Sequence, residues 1–319
     1  MKYMIDRDFP GRGKKIGILG VPLGFGAAKR GSSLGTRTIR QAKVYGQILT
    51  ERIIELGYEV RDYDDLDLPR PLYPPNEGEN PRFLPEMFES VGKIVPAIKK
   101  ILQAGEIPVI LGGDHSIALP TFTGISSFFR EQKQEVGLIW FDAHADMNTP
   151  QTSPSGNLHG MPLATLFGYG VPELVNLEGF TPKISAKYFA HIGARDLDLG
   201  EKHFIREQGI KCWTMHHIDR YGMNACVEQA IELVAQAPGG FAVTFDVDAL
   251  DPLDAPGSGT LVRGGFSYRE AHLALERIAE TGKMRSFEIV EVNPTLDTNN
   301  RTSELAVELI LSALGKTIL

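Results

Sequence analysis

Short apolar runs alternate with longer stretches of helical periodicity along nearly the whole chain. The runs fall at residues 15–21, 58–63, 107–111, 136–141, 187–193, 210–214, 240–245 and 284–292. Their centres, such as Val-Ile-Leu-Gly-Gly, Gly-Leu-Ile-Trp-Phe and Phe-Ala-Val-Thr-Phe, are continuous rather than alternating. A strand reads that way when both of its faces are covered, as in a parallel sheet. Between the runs, residues 35–56, 85–104, 218–237 and 267–281 carry helical patterns. Strand–helix alternation of this kind predicts helices on both faces of the sheet. The expectation is one three-layer α/β domain over residues 1–319, with a mostly parallel sheet of about eight strands.

Breaks in the pattern refine this picture. Residues 64–85 hold Pro69, Pro71, Pro74, Pro75, Pro81 and Pro85, so one long surface loop is predicted there. The stretch Gly24-Phe25-Gly26-Ala27-Ala28-Lys29 begins like a dinucleotide fingerprint but lacks the third glycine, and Pro22 sits in its turn. Hydrophobic residues make up 42% and charged residues 23% of 319, enough for a sizeable core. A net charge of −7 argues against nucleic acid or an anionic membrane as partner. The first fifteen residues hold no apolar stretch of the signal-peptide kind, and no later run reaches membrane-spanning length. Two cysteines, Cys212 and Cys226, make no disulfide framework. A cytoplasmic protein is expected.

Chemistry-bearing residues gather where three predicted strands end: Asp114-His115, Asp142-Ala143-His144-Ala145-Asp146, and Asp246-Val247-Asp248. In open α/β sheets the binding crevice lies outside the carboxyl ends of the strands, so distant stretches converge there. In extended backbone, residues two apart share a face, so Asp142, His144 and Asp146 can point together, as can Asp246 and Asp248. With His115 they form an oxygen-rich set large enough for two metal ions. A lone aspartate closing a strand is more often a helix cap, and Asp114, which opens a predicted helix, fits that plainer role. Three clusters at three strand ends resist it, because burying so many like charges without a cation costs several kcal/mol per ion. Carboxylates outnumber nitrogens and no cysteine is near, which favours Mn²⁺ or Mg²⁺ over structural zinc. Two close ions can share and activate one water, a hydrolase design.

The segments Gly112-Gly113-Asp114-His115-Ser116, Asp142–Asp146 and 245–252 closely resemble the signature segments of the ureohydrolase family, which includes arginases, agmatinases and formimidoylglutamases. The resemblance runs from Gly17–Pro22 to Glu291-Val292-Asn293-Pro294. It implies one Mn²⁺ on His115, Asp142, Asp146 and Asp246 and a second on Asp142, His144, Asp246 and Asp248, with hydroxide bridging the two.

Within that family, residues 148–160 resemble the loop of the arginase branch. The match implies that Asn148 and Ser155, with Asn157 nearby, hold the α-carboxylate of L-arginine, and that Asp198 meets its α-ammonium. An amide and a hydroxyl suit a carboxylate, which agmatine lacks. His159 matches a proton shuttle working with Asp146, and Glu291 matches the carboxylate that pairs with the guanidinium. Thr260 would help orient that group. Leu261 stands where arginases commonly carry proline, which removes a restraint on the loop bearing Thr260. His191, His203, His216, His217 and His272 match no family site. The implied reaction gives L-ornithine and urea, and the implied assembly is a homotrimer or homohexamer. An agmatinase would keep the metal site and change the loop at 148–160, and a silent ligand-binding member would keep the fold without turnover.

Overall fold

In a computed structural model, residues 11–72 and 78–318 are described. Eight strands form one sheet: β1 (Lys15–Val21), β2 (Glu59–Asp65), β3 (Ile107–Gly112), β4 (Gly137–Phe141), β5 (Phe189–Ile192), β6 (Lys211–Trp213), β7 (Phe241–Asp246) and β8 (Met284–Val290). Their order is β2-β1-β3-β8-β7-β4-β5-β6, and every neighbouring pair is parallel. All eight predicted runs become strands. The last one stops short of residue 292 because Glu291 turns into the left-handed region, at φ 64°.

Alternate residues of each central strand face opposite layers. Ile139, Phe141, Val243, Phe245, Phe287 and Ile289 pack on one side of the sheet, in a core that helices Met223–Val234, Tyr268–Glu280 and Arg301–Ala313 complete. Leu19, Ile110, Leu138, Trp140 and Ala242 face the other side, under helices Leu84–Gln103 and Ala118–Glu131. The result is the three-layer α/β arrangement the sequence predicts.

Two predicted helices are each broken in two. Residues 35–56 form Gly35–Gln41 and Leu49–Glu55, because Val44 and Gln47 pair around a tight turn in which Tyr45 and Gly46 both have positive φ. Residues 218–237 give way to Met215–Tyr221 and Met223–Val234, split at Gly222 with φ 80° and ψ 152°, a conformation natural to glycine and outside the helical region. The proline-rich stretch carries no helix or strand between β2 and Leu84 among its described residues; Pro74 and Pro75 lie outside them, as do residues 1–10. Among the described residues, no helix is long and apolar enough to cross a membrane.

Strand order is what builds the site. After β3 the chain crosses two positions to β4, and β8 and β7 later fill the gap. The carboxyl ends of β3, β8, β7 and β4 therefore stand side by side at the topological switch, where open sheets bind ligands.

Gly113, just past β3, shows how tightly that end is packed. A Cβ there would lie 1.6 Å from the carbonyl oxygen of Leu23, the same oxygen that accepts from the Asp114 N–H at 2.8 Å. Gly113→Ala is expected to lose about 1–3 kcal/mol or more, as overpacked sites do. Urea unfolding checks this: a clear drop in midpoint is the expected result, and an unchanged midpoint would contradict the packing of the two loops.

Candidate metal centre and substrate cleft

The loop after β3 is held by Asp114, whose carboxylate accepts from the backbone N–H of Ser116 at 3.1 Å and of Gly26 at 2.8 Å. Asp114 is thus a cap, and the glycine-rich 24–29 stretch packs beside it. Next comes His115, whose ring stacks on Trp140 with centroids 4.1 Å apart. His115 Nε2 lies 3.1 Å from the Thr244 hydroxyl, which donates at 2.8 Å to Glu288. Because that hydroxyl spends its proton on Glu288, it accepts from His115 Nε2–H, and Nδ1 is turned toward the carboxylates. Thr121 donates to the other Glu288 oxygen at 2.6 Å. Sequence reasoning missed Thr244 and Glu288; the available signal was a hydroxyl and a carboxylate within otherwise apolar buried strands.

All six predicted ligands converge. His115 Nδ1 lies 2.9 Å from Asp142, 3.2 Å from Asp146 and 3.2 Å from Asp246. His144 Nδ1 is 3.3 Å from both Asp142 and Asp248. Among the described residues, two groups stand out whose ligand atoms lie within 4.8 Å of one another: His115, Asp142 and Asp246, and Asp142, His144 and Asp248. Asp142 belongs to both. Backbone and indole donors hold these carboxylates in place: Trp140 Nε1 and His144 N donate to Asp142 at 3.0 and 2.7 Å, and Asp248 N donates to Asp246 at 2.8 Å.

The electrostatics are those of a cation site. Burial alone would raise Asp142, but His115 and His144 more than reverse this and hold it well below the usual carboxylate range. Burial, with Asp142 alongside, pushes Asp146 up to about 7, and burial with Asp248 and Asp142 nearby raises Asp246 well above its ordinary value. Burial works against charge on His115, yet the surrounding carboxylates raise its pKa far more. His115 Nδ1 is buried and makes no well-formed hydrogen bond, although three carboxylate oxygens surround it. A nitrogen and oxygens aimed into one space without bonding one another fit a shared metal ion, which would compete with a proton there.

Beside the centre, His159 Nδ1 lies 3.1 Å from Glu291 Oε1, and the same oxygen accepts from His115 N at 3.0 Å. Burial would lower the His159 pKa, but Glu291 outweighs it and lifts the value to about 9. Thr260 donates to Asp248 at 2.9 Å, so its hydroxyl is engaged with a candidate ligand. In the 148–160 loop, Asn148 is buried and its amide donates to Asp198 at 2.8 Å. Ser155 is exposed and accepts from the Asn157 N–H at 3.2 Å, while the Asn157 side chain accepts from Arg82 at 3.0 Å.

His191, unassigned by motif, lies behind the centre, with Nε2 2.7 Å from the His144 carbonyl oxygen, to which it donates. Burial pushes its pKa down to about 4, against 6.5 for an exposed imidazole. Below 6.5 the unfolded chain therefore binds a proton that the folded chain refuses until about pH 4. The folded state should keep the full benefit of neutral His191 above pH 6.5 and lose about 3 kcal/mol between there and pH 4. Comparing wild type with His191→Gln by urea unfolding across that window tests this: the variant should show the shallower acid slope, and parallel slopes would refute it.

Against known proteins, residues 14–315 match the Arginase family model. The arginase of Bacillus subtilis is 44% identical over 306 residues, which cover 96% of this chain and 99% of that one. The solved arginase of Bacillus caldovelox superposes with a TM-score of 0.89 at 42% identity, covering 96% of this chain and 100% of that one. The arginase of Entamoeba histolytica, solved in complex with L-ornithine, is 29% identical with a TM-score of 0.84, covering 95% of this chain and 99% of that one. With a parallel sheet whose switch point gathers His115, His144 and four aspartates, and with this likeness over nearly its full length, the chain belongs to the arginase family.

Proposed function

We propose that this chain hydrolyses L-arginine to L-ornithine and urea, using two Mn²⁺ ions. The observation that carries the reading is the pairing of Asn148 with Asp198 on one side of a double His/Asp cluster. One ion would be held by His115, Asp142, Asp146 and Asp246, the other by Asp142, His144, Asp246 and Asp248. Two divalent cations would balance the four carboxylates. When bound, such a pair supplies Lewis acidity and lowers the pKa of a shared water.

The protein groups divide the remaining work. Glu291 offers a carboxylate to the planar guanidinium, a match of fork and acceptor. Asp146, ionised once cations balance the cluster, can take a proton from the attacking water. His159, its Nδ1 3.1 Å from Glu291, can give a proton to the amine that leaves as ornithine. Asn148, Ser155 and Asn157 would receive the α-carboxylate and Asp198 the α-ammonium. Membership of the family also supports a homo-oligomer, and the absence of a disulfide framework a cytoplasmic location.

Urea release from the purified Mn²⁺-loaded chain, with L-arginine and agmatine side by side, tests the assignment. Two or three charge-assisted contacts to a carboxylate, at about 1.5–3 kcal/mol each, predict at least a hundredfold higher kcat/KM for arginine. Elemental analysis should find two ions per chain, and chelation should abolish activity. Agmatine used equally well would overturn the arginine reading and leave an agmatinase in its place.

His159→Asn should lower turnover by about a hundredfold or more while metal content stays unchanged, since its role is proton transfer. Loss of metal and stability with normal activity per bound ion would make His159 structural.

A further inference from the structure

Glu201 was not singled out by any sequence motif, yet its carboxylate joins the two stretches proposed to grip the α-amino acid end of the substrate. The residue is buried, at 4% exposure. Its Oε1 accepts from the backbone N–H of Met147 at 3.0 Å, and its Oε2 from that of Asp198 at 2.9 Å. Met147 adjoins Asn148, and the Asn148 amide donates to the Asp198 carboxylate at 2.8 Å. Glu201, Met147, Asn148 and Asp198 therefore close a ring of covalent and hydrogen-bonded links between segments about fifty residues apart. Thr152 braces the ring by donating its hydroxyl to the Asn148 side-chain amide oxygen, Oδ1, at 2.9 Å.

Helix capping alone does not account for this arrangement. Asp198 and Glu201 do form a capping box on helix Leu199–Glu207. Glu51 and Glu270 occupy the same position at the starts of Leu49–Glu55 and Tyr268–Glu280, and there one oxygen, Oε2, accepts from the N-cap backbone N–H. Glu201 instead carries its carboxylate into the interior, where desolvation is costly, and spends the second oxygen on a distant backbone N–H. Its two acceptor oxygens serve the two donors, one each.

We propose that Glu201 is a positioning residue that sets the spacing between Asn148 and Asp198, and so selects substrates bearing both an α-carboxylate and an α-ammonium group. This deepens the arginine reading and rests on it. The clamp lets Asn148 and Asp198 meet the two charges of one amino acid at once, without either loop having to be ordered on binding.

Glu201→Gln tests the clamp, because glutamine keeps one acceptor and turns a donor toward the other N–H. The expected result is a KM for L-arginine, and a Kd for L-ornithine by calorimetry, raised about tenfold, the loss that one charge-assisted hydrogen bond implies. Metal content and kcat should stay within about twofold, as should kcat/KM for agmatine, so the arginine preference narrows. Adding Asn148→Ala to the variant should cost much less than it costs wild type, since the two act as one unit. Glu201→Asp, which keeps two acceptors, should recover part of the loss and serves if the glutamine variant does not fold. Equal losses on arginine and agmatine, or additive effects with Asn148→Ala, would overturn the inference. A wild-type chain that shows no preference for arginine would instead overturn the underlying reading, and the clamp's purpose with it.

Discussion

Asp142 shares its carboxylate between His115 and His144, and most of the molecule around the cleft serves that contact. A carboxylate with 1% exposure is stable as an anion only if cations or strong donors surround it. The two imidazoles, the Trp140 indole and the His144 backbone N–H provide such partners. The other aspartates are less well provided, and Asp146 and Asp246 are driven toward their neutral forms. A pair of divalent cations would let all four ionise together, so the same crowding that opposes folding without metal becomes affinity for it.

That crowding demands precise backbone, and the strand ends supply it. Asp146, in the loop that follows β4, and Glu291, directly after β8, both have positive φ, at 54° and 64°. Residues of this kind seldom adopt such angles without surrounding structure to hold them, and they recur at functional sites. Here the left-handed turn lets a chain leaving the sheet send a carboxylate back over the strand ends. The Glu291 N–H donates to Gly113 O at 2.8 Å, and its side chain reaches both His115 and His159. Supports lie one layer further out, where Thr244 and Glu288 orient His115, Thr260 holds Asp248 and His191 holds the His144 backbone.

The proposed substrate end of the cleft is built from loops rather than strands. Loops tolerate variation, so one metal centre can be fitted to different substrates by changes there. Asn148 and Asp198 lie on different loops, and each already has a partner in the other. Under the proposed function, an amino acid entering between them would exchange that internal hydrogen bond for contacts to its own charges, while a substrate lacking the carboxylate would leave polar atoms without equivalent partners.

Much of this was legible along the chain because it depends on local pattern. Continuous apolar runs mark strands buried on both faces, and the two-residue spacing of Asp142, His144 and Asp146 puts their side chains on one side of extended backbone. The broken helices at 42–48 and 222 were not legible, since the apolar residues that flank each exposed turn still pack into the core and keep a helix-like pattern. Nor was the order of strands, which decides that β3, β8, β7 and β4 end side by side although 107 and 284 lie far apart in sequence. Thr260, Glu201 and Glu288 show the same limit. Each has a neighbourhood in sequence that suggests a loop, a cap or a strand, and each acquires its partner, Asp248, Met147 or Thr244, only when the sheet closes. Residue type and spacing determined which groups could do this chemistry; tertiary packing determined which of them meet, because a hydrogen bond acts over about 3 Å and takes no account of distance along the chain.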